Sequence, residues 1–293
     1  MNILETFSNA AADLAQAAAP RVALVRLRHG RRLTATHWSD DLYVVSEQAL
    51  PARDTFPILL NGGAEAEATV IGRDNGSNIA ALKTAGAAAA EPPAAGQLRL
   101  GGLAVVAGRD REGDVSARLG TVAHIGPPWR STRDGQIDAF IELDVSLTQA
   151  LEGGPVIAPD GGMAGVSTFG PKGRVIVIPH ATVERIVPVL AESGRMPRGW
   201  LGVALQPVAV PESVEAARRG LMVMVVEQAG PAETAGLRVG DVILCVDGSP
   251  FGPSTRLTSR LGPDGIGKTL ALKLLRGGEV ATASLTVAER PEP

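Results

Sequence analysis

The 293-residue chain is poor in three things. Its single cysteine, Cys245, excludes an internal disulfide and a cysteine-based metal site. Aromatic residues make up only 3%, whereas glycine (35) and proline (21) are plentiful. That balance points to strands and turns, not to a helical bundle. An excess of positive charge is also missing. The net charge is -3, so there is no electrostatic case for binding nucleic acid or an anionic membrane surface. No run is long and apolar enough to span a bilayer. The opening "MNILETFSNAAADLAQAAAP" lacks a basic segment, and Glu5 and Asp13 interrupt its apolar residues, so it does not read as a signal peptide.

What is present suffices for a core: 45% of the residues are apolar and 20% charged. Leu4, Phe7, Ala11, Leu14 and Ala18 fall three and four apart, which predicts a docking helix over residues 1–19, ending before Pro20. Short strand-like runs follow ("RVALVRLR", "RRLTATHW", "LYVVS", "TFPILL", "ATVIGR"), separated by turn signals. After the low-complexity stretch 84–96 comes a second set, from "GLAVVAGR" to "RVIVIP". "HATVERIVPVLAESG" then reads as a closing helix, with Val183, Ile186, Val187 and Leu190 on one side and Gly194 past its end. The reading is two small barrels over 20–194, a linker at 195–198, and a compact module over 199–290. In that module "PAETAG" is a short helix, "LRVGDVILCVDGSPF" a strand between two turns, and the stretch around Gly277-Gly278 a hairpin.

Five stretches, in order, resemble the HtrA (Deg) family, in which a trypsin-like double β-barrel precedes a PDZ domain. They are "DDLYVVSEQAL", "IGRDNGSNIAALK", "DVSLTQALEGGPV", "RGWLGVALQPV" and "GPAETAGLRVGDVILCVDGSPF". The implied fold class is mainly β, with a small α+β PDZ domain. The first three stretches match the segments that carry the family's catalytic histidine, aspartate and serine. The residues at those positions are Gln48, Asn78 and Glu152. The resemblance places main-chain oxyanion donors at 152 and 150, in a loop with Ala150 and Gly153.

Serine hydrolysis needs a hydroxyl and a base that holds its proton transiently. Gln48 and Asn78 are amides and cannot act as that base. A carboxylate at 152 would repel a neighbouring oxyanion by roughly 4 kcal/mol at about 4 Å and an effective dielectric near 20. The chain is therefore expected not to be an enzyme, with Glu152 turned back onto the oxyanion donors or exposed. A site of replaced chemistry around Glu152 is the alternative. His37 ("LTATHW") reads as structural, and no histidine cluster has metal-like spacing, so neither metal nor cofactor is expected.

The "WLGV" stretch matches the family's carboxylate-binding loop. It implies peptide binding by Trp200, Leu201, Gly202 and Val203, with Leu257 lining the pocket and Arg198 attracting the carboxylate. The implied partners are protein C-termini or unfolded segments, for an adaptor, sensor or chaperone-like role. Assembly into a trimer, with copies or with an active HtrA paralogue, is the other implied role. The chain as written is expected in the cytoplasm, and in the periplasm if its true start lies upstream.

Overall fold

The computed structural model describes residues 2–87, 90–110, 112–212, 219–251 and 257–291. The chain forms two compact units, Met1–Met196 and Pro197–Pro293.

The first unit opens with α1 (Ile3–Ala18), whose first turn is capped where the Leu4 N–H donates to Asn2 Oδ1. Six strands follow: β1 (Val22–Arg26), β2 (Arg32–Ser39), β3 (Leu42–Ser46), β4 (Thr55–Leu59), β5 (Glu65–Asp74) and β6 (Ile79–Thr84). They close into a barrel in the order β1-β2-β3-β6-β5-β4. The second barrel uses β7 (Leu103–Arg109) and β8 (Val115–Gly126), then, past a small ribbon of β9 (Trp129–Arg130) and β10 (Gln136–Ile137), β11 (Phe140–Asp144), β12 (Pro155–Ile157), β13 (Met163–Phe169) and β14 (Val175–Pro179). Helix α2 (His180–Ser193) ends the unit, with Gly194 left-handed at φ 73 as its C-cap.

Period-two alternation accounts for the barrels. Leu33 and Ala35, Tyr43 and Val45, Phe56 and Ile58, and Ala80 and Leu82 recur every second residue and fill one buried cluster. Their neighbours point the other way. Val44, Ile79 and Ala81 meet Val105, Ala107 and Ile157 of the second barrel, and Val183, Ile186, Val187 and Leu190 of α2 seal that shared cluster. Strands buried on both faces read as unbroken apolar runs, as in β6 and β7. Of the α1 stripe, Ala18 is buried and Leu14 packs on the shared core. Phe7, Ala11 and Leu14 line a cavity of about 220 Å³ with Leu103, Leu119 and Ile157, while Leu4 is exposed. No helix among the described residues is long and apolar enough to cross a membrane.

The second unit contains β15 (Gly199–Trp200), β16 (Val203–Ala209), β17 (Arg219–Val226), the short α3 (Pro231–Thr234), β18 (Val242–Val246), β19 (Ser249–Pro250), β20 (Thr269–Arg276), β21 (Glu279–Thr286) and β22 (Ala288–Glu289). Its main sheet runs β16-β17-β18-β20-β21, with β19 paired to β18, so among the described residues β16 is an edge. Leu201, Leu257, Leu270, Leu272, Leu274 and Leu285 share its core. Asp241, only 2% exposed, accepts the Arg238 N–H and a two-pronged contact from Arg276 at 2.7 and 2.6 Å. The Arg276 guanidinium holds the Asp241 carboxyl below the usual carboxylate range.

Candidate functional site

The structure brings Gln48, Asn78 and Glu152 together where the two barrels meet. Gln48 follows β3 in a 3-10 turn, Asn78 sits left-handed (φ 62) just before β6, and Glu152 follows the 3-10 turn Gln149–Leu151. The Gln48 N–H donates to Asn78 Oδ1 at 2.7 Å. Gln48 Nε2 reaches Glu152 Oε1 (2.9 Å), Thr168 Oγ1 (2.9 Å) and the Phe169 carbonyl (2.8 Å). Asn78 Nδ2 donates to Thr168 Oγ1 at 2.7 Å and to Ser46 Oγ at 3.1 Å. Two hydroxyls then close on the carboxyl. Ser46 Oγ donates to Glu152 Oε1 at 2.8 Å and Thr168 Oγ1 donates to it at 3.2 Å. Glu152 is 4% exposed, and one of its oxygens gathers three donors.

Ser46 and Thr168 complete this network, and the sequence reading missed them because both lie within strand runs. The available signal was a hydroxyl residue at or beside the end of each run, Ser46 in "LYVVS" and Thr168 in "GVSTF". Both are buried, at 4% and 5% exposure.

Glu152 is neither exposed nor folded back onto main-chain donors. The Glu152 N–H donates to the Gln149 carbonyl (3.2 Å) and the Gly153 N–H to the Ser167 carbonyl (2.9 Å). The Ala150 carbonyl accepts Thr34 Oγ1 at 2.7 Å. The loop at 150–153 is therefore tied down through its own backbone. Its glycines are required by close approach. A Cβ on Gly153 would lie 2.3 Å from the Thr34 carbonyl oxygen, and one on Gly154 would lie 2.0 Å from that of Ala107. His37 stands elsewhere, stacked on Tyr43 with its Nε2 2.6 Å from the Asp40 carbonyl. The ring of His180 pairs with the Pro93 carbonyl at 2.8 Å, so it does not cap α2. Among the described residues no group of three metal-ligating side chains occurs.

The second site is built from backbone. Trp200 ends β15, and its Cη2 lies against Gly202 and Gly230. Leu201 is buried, Gly202 is left-handed at φ 71, and Val203 opens β16. The Leu201 carbonyl accepts the Ala232 N–H (2.9 Å) and the Gly202 carbonyl accepts the Glu227 N–H (2.8 Å). Because each peptide is planar and trans, the Gly202 and Val203 N–H groups point away from the partners of those two carbonyls. Leu257 is buried in the same core, and Val203 packs on its rim. The Arg198 carbonyl accepts the Arg290 N–H at 2.8 Å, beside β22.

Comparison with known families gives two matches. The trypsin-like peptidase domain model matches residues 15–166, more than half of the chain, and the PDZ domain model matches 199–287. The chain belongs to the HtrA family. Among its curated relatives, a probable periplasmic serine endoprotease DegP-like of Bartonella henselae is 28% identical over 265 residues, covering 87% of this chain and 52% of the relative. The DegP-like protein of Pseudomonas fulva is 30% identical over 269 residues, covering 86% of this chain and 55% of the relative. This HtrA chain thus spans about half the length of the curated relatives it matches. Among solved structures, the HtrA-type protease AlgW with a decapeptide superposes with a TM-score of 0.73 at 22% identity, covering 97% of this chain and 99% of that one. The serine endoprotease from Yersinia pestis gives 0.72, also at 22% identity, over 96% and 98%. These two establish the shared fold.

Two expectations are corrected by these relatives. The chain was expected not to be an enzyme, yet its curated relatives are named serine endoproteases and its solved neighbours proteases, which points to an enzyme. A cytoplasmic location was expected, yet the same relatives are named periplasmic. Gln48, Asn78 and Glu152 nonetheless stand together at the barrel junction, where no histidine or serine of the described residues completes a Ser-His-Asp arrangement with them.

Proposed function

We propose that this HtrA-family chain takes hold of other proteins by their C-termini or unfolded segments through its PDZ unit, as an adaptor, sensor or chaperone-like protein of the periplasm. The reading assigns 1–19 to a docking helix, 20–194 to the double barrel, 195–198 to a linker and 199–290 to the PDZ domain. A ligand carboxylate would sit on the N–H groups of Leu201, Gly202 and Val203, and its chain would add to β16. Leu201, Val203 and Leu257 would receive its last side chain. Trp200 would support the loop, and Arg198 would attract the carboxylate from a distance. The observation that carries this reading is the pair of pinned carbonyls beside left-handed Gly202, next to an edge strand. A library of peptides with free C-termini, screened on the full chain, tests it. Gly202→Trp, which crowds Pro231 and the left-handed turn, is expected to abolish capture. Unchanged capture would remove the assignment.

A second reading has its own support. Ser46 Oγ and Thr168 Oγ1 both donate to Glu152 Oε1, the pairing of hydroxyl and carboxyl that a hydrolase of replaced chemistry would need. Cleavage of an unfolded protein by the natural chain, abolished in Glu152→Gln, would favour it over capture alone. Assembly into a trimer, with further copies or an HtrA paralogue, would draw on Ile3, Leu4 and Phe7, which are exposed at the start of α1.

A further inference from the structure

Resting on the reading of β16 as the receiving edge, we propose that Pro207 ends main-chain recognition at the third residue from the ligand's C-terminus. The Glu227 N–H donates to the Gly202 carbonyl at 2.8 Å, and the register pairs Val203 with Val226 and Ala204 with Val225. Gly202 and Ala204 therefore turn their backbone groups toward β17, while Val203 turns its own toward the open edge. Between Ala204 and Leu205 the register shifts by one residue of β17, Met224, so the alternation along β16 itself continues. Leu205 and Pro207 are then the next two residues to face the edge.

Proline has no N–H, and its ring carbon stands where that hydrogen would be. On the side facing β17 this would break the ladder; on the open edge it costs the fold nothing. Pro207 is also exposed, so its ring meets whatever pairs there. A ligand with its carboxylate at Leu201–Val203 must run antiparallel to β16. Its last residue meets Val203, and its third from the end exchanges two bonds with Leu205. Its fifth from the end faces Pro207, finds no donor for its carbonyl, and meets the pyrrolidine ring. The edge therefore reads a short C-terminal tail, and longer segments leave it.

The test titrates the full natural chain with acetylated peptides of three, four, five and seven residues, all alanine except a C-terminal leucine suited to the Leu201–Leu257 pocket. Each is used as the free acid and as the C-terminal amide. Affinity is expected to level off by the fourth residue. In Pro207→Ala the seven-residue acid should gain about two- to ten-fold over the three-residue acid, the worth of one net hydrogen bond. Continued tightening through five and seven residues in the natural chain, equal to that in the variant, would overturn the role of Pro207 while leaving the groove in place. Equal binding of acids and amides, or none of either, would instead overturn the groove, and the inference with it. Levelling off by the fourth residue in the variant as in the natural chain would likewise overturn the role of Pro207.

Discussion

The barrel junction and the β16 edge are both places where this fold could meet a polypeptide, and they treat their polar groups in opposite ways. At the junction, Glu152 is buried and one of its oxygens is occupied by Ser46, Gln48 and Thr168. The N–H groups of 152 and 153 are spent on neighbouring carbonyls. At the edge, carbonyls are pinned inward at Leu201 and Gly202, and the donors face out. A satisfied network holds a shape, whereas an edge of backbone donors binds a chain. One region is thus a closed network of side chains, and the other presents main-chain groups, which side-chain substitution does not remove.

The comparison can be broken first at its closed end. Glu152→Ala strips the shared acceptor from two buried hydroxyls and an amide, and is expected to lower stability of the first unit by about 2–4 kcal/mol. Glu152→Gln keeps one acceptor oxygen and should cost less than half of that. Denaturant unfolding of both variants checks the order. Equal, negligible losses would show that the junction is held by its glycines and not by the carboxyl.

The open end can be sharpened by acid. Asp241 accepts the Arg276 guanidinium, and its carbonyl accepts the Val223 N–H of β17, so it braces the strand beside the edge. Its carboxyl is held below the ordinary value, so the folded state binds the proton more weakly than the unfolded chain does. The stabilisation is complete above the unfolded value, near 3.9, and is lost as pH falls through the lower folded one. Asp241→Asn is expected to cost about 2 kcal/mol at neutral pH, discounted because Arg276 is one-third exposed, and to flatten the acid limb of the second unit's unfolding. An acid limb unchanged by the substitution would assign it to other carboxyls.

Much of this molecule is legible in the order of its residues. Alternation in "RRLTATHW" and the unbroken apolar run of "LYVVS" report the barrel, the first because a strand has two faces and the second because both faces are buried. The stripe Val183, Ile186, Val187 and Leu190 reports α2 for the same reason at helical period. Gln48, Asn78 and Glu152 were recognisable as one constellation because their strings keep the family's order. The hydroxyls that bind them together were not. Ser46 and Thr168 are 122 residues apart, and only barrel closure makes them neighbours at 3.1 Å. The fate of the 152 and 153 N–H groups was hidden likewise: a 3-10 turn at Gln149–Leu151 takes the first, and the Ser167 carbonyl of β13 takes the second. Pro207 was visible all along, but its meaning depends on which way its nitrogen faces.

Amide hydrogen exchange, with and without an acetylated alanine peptide ending in a free C-terminal leucine, sets the two regions against each other in one experiment. The account predicts new protection over 201–205 and none over 46–48 or 150–154. Protection appearing at 150–154 while 201–205 exchanges as before would contradict it.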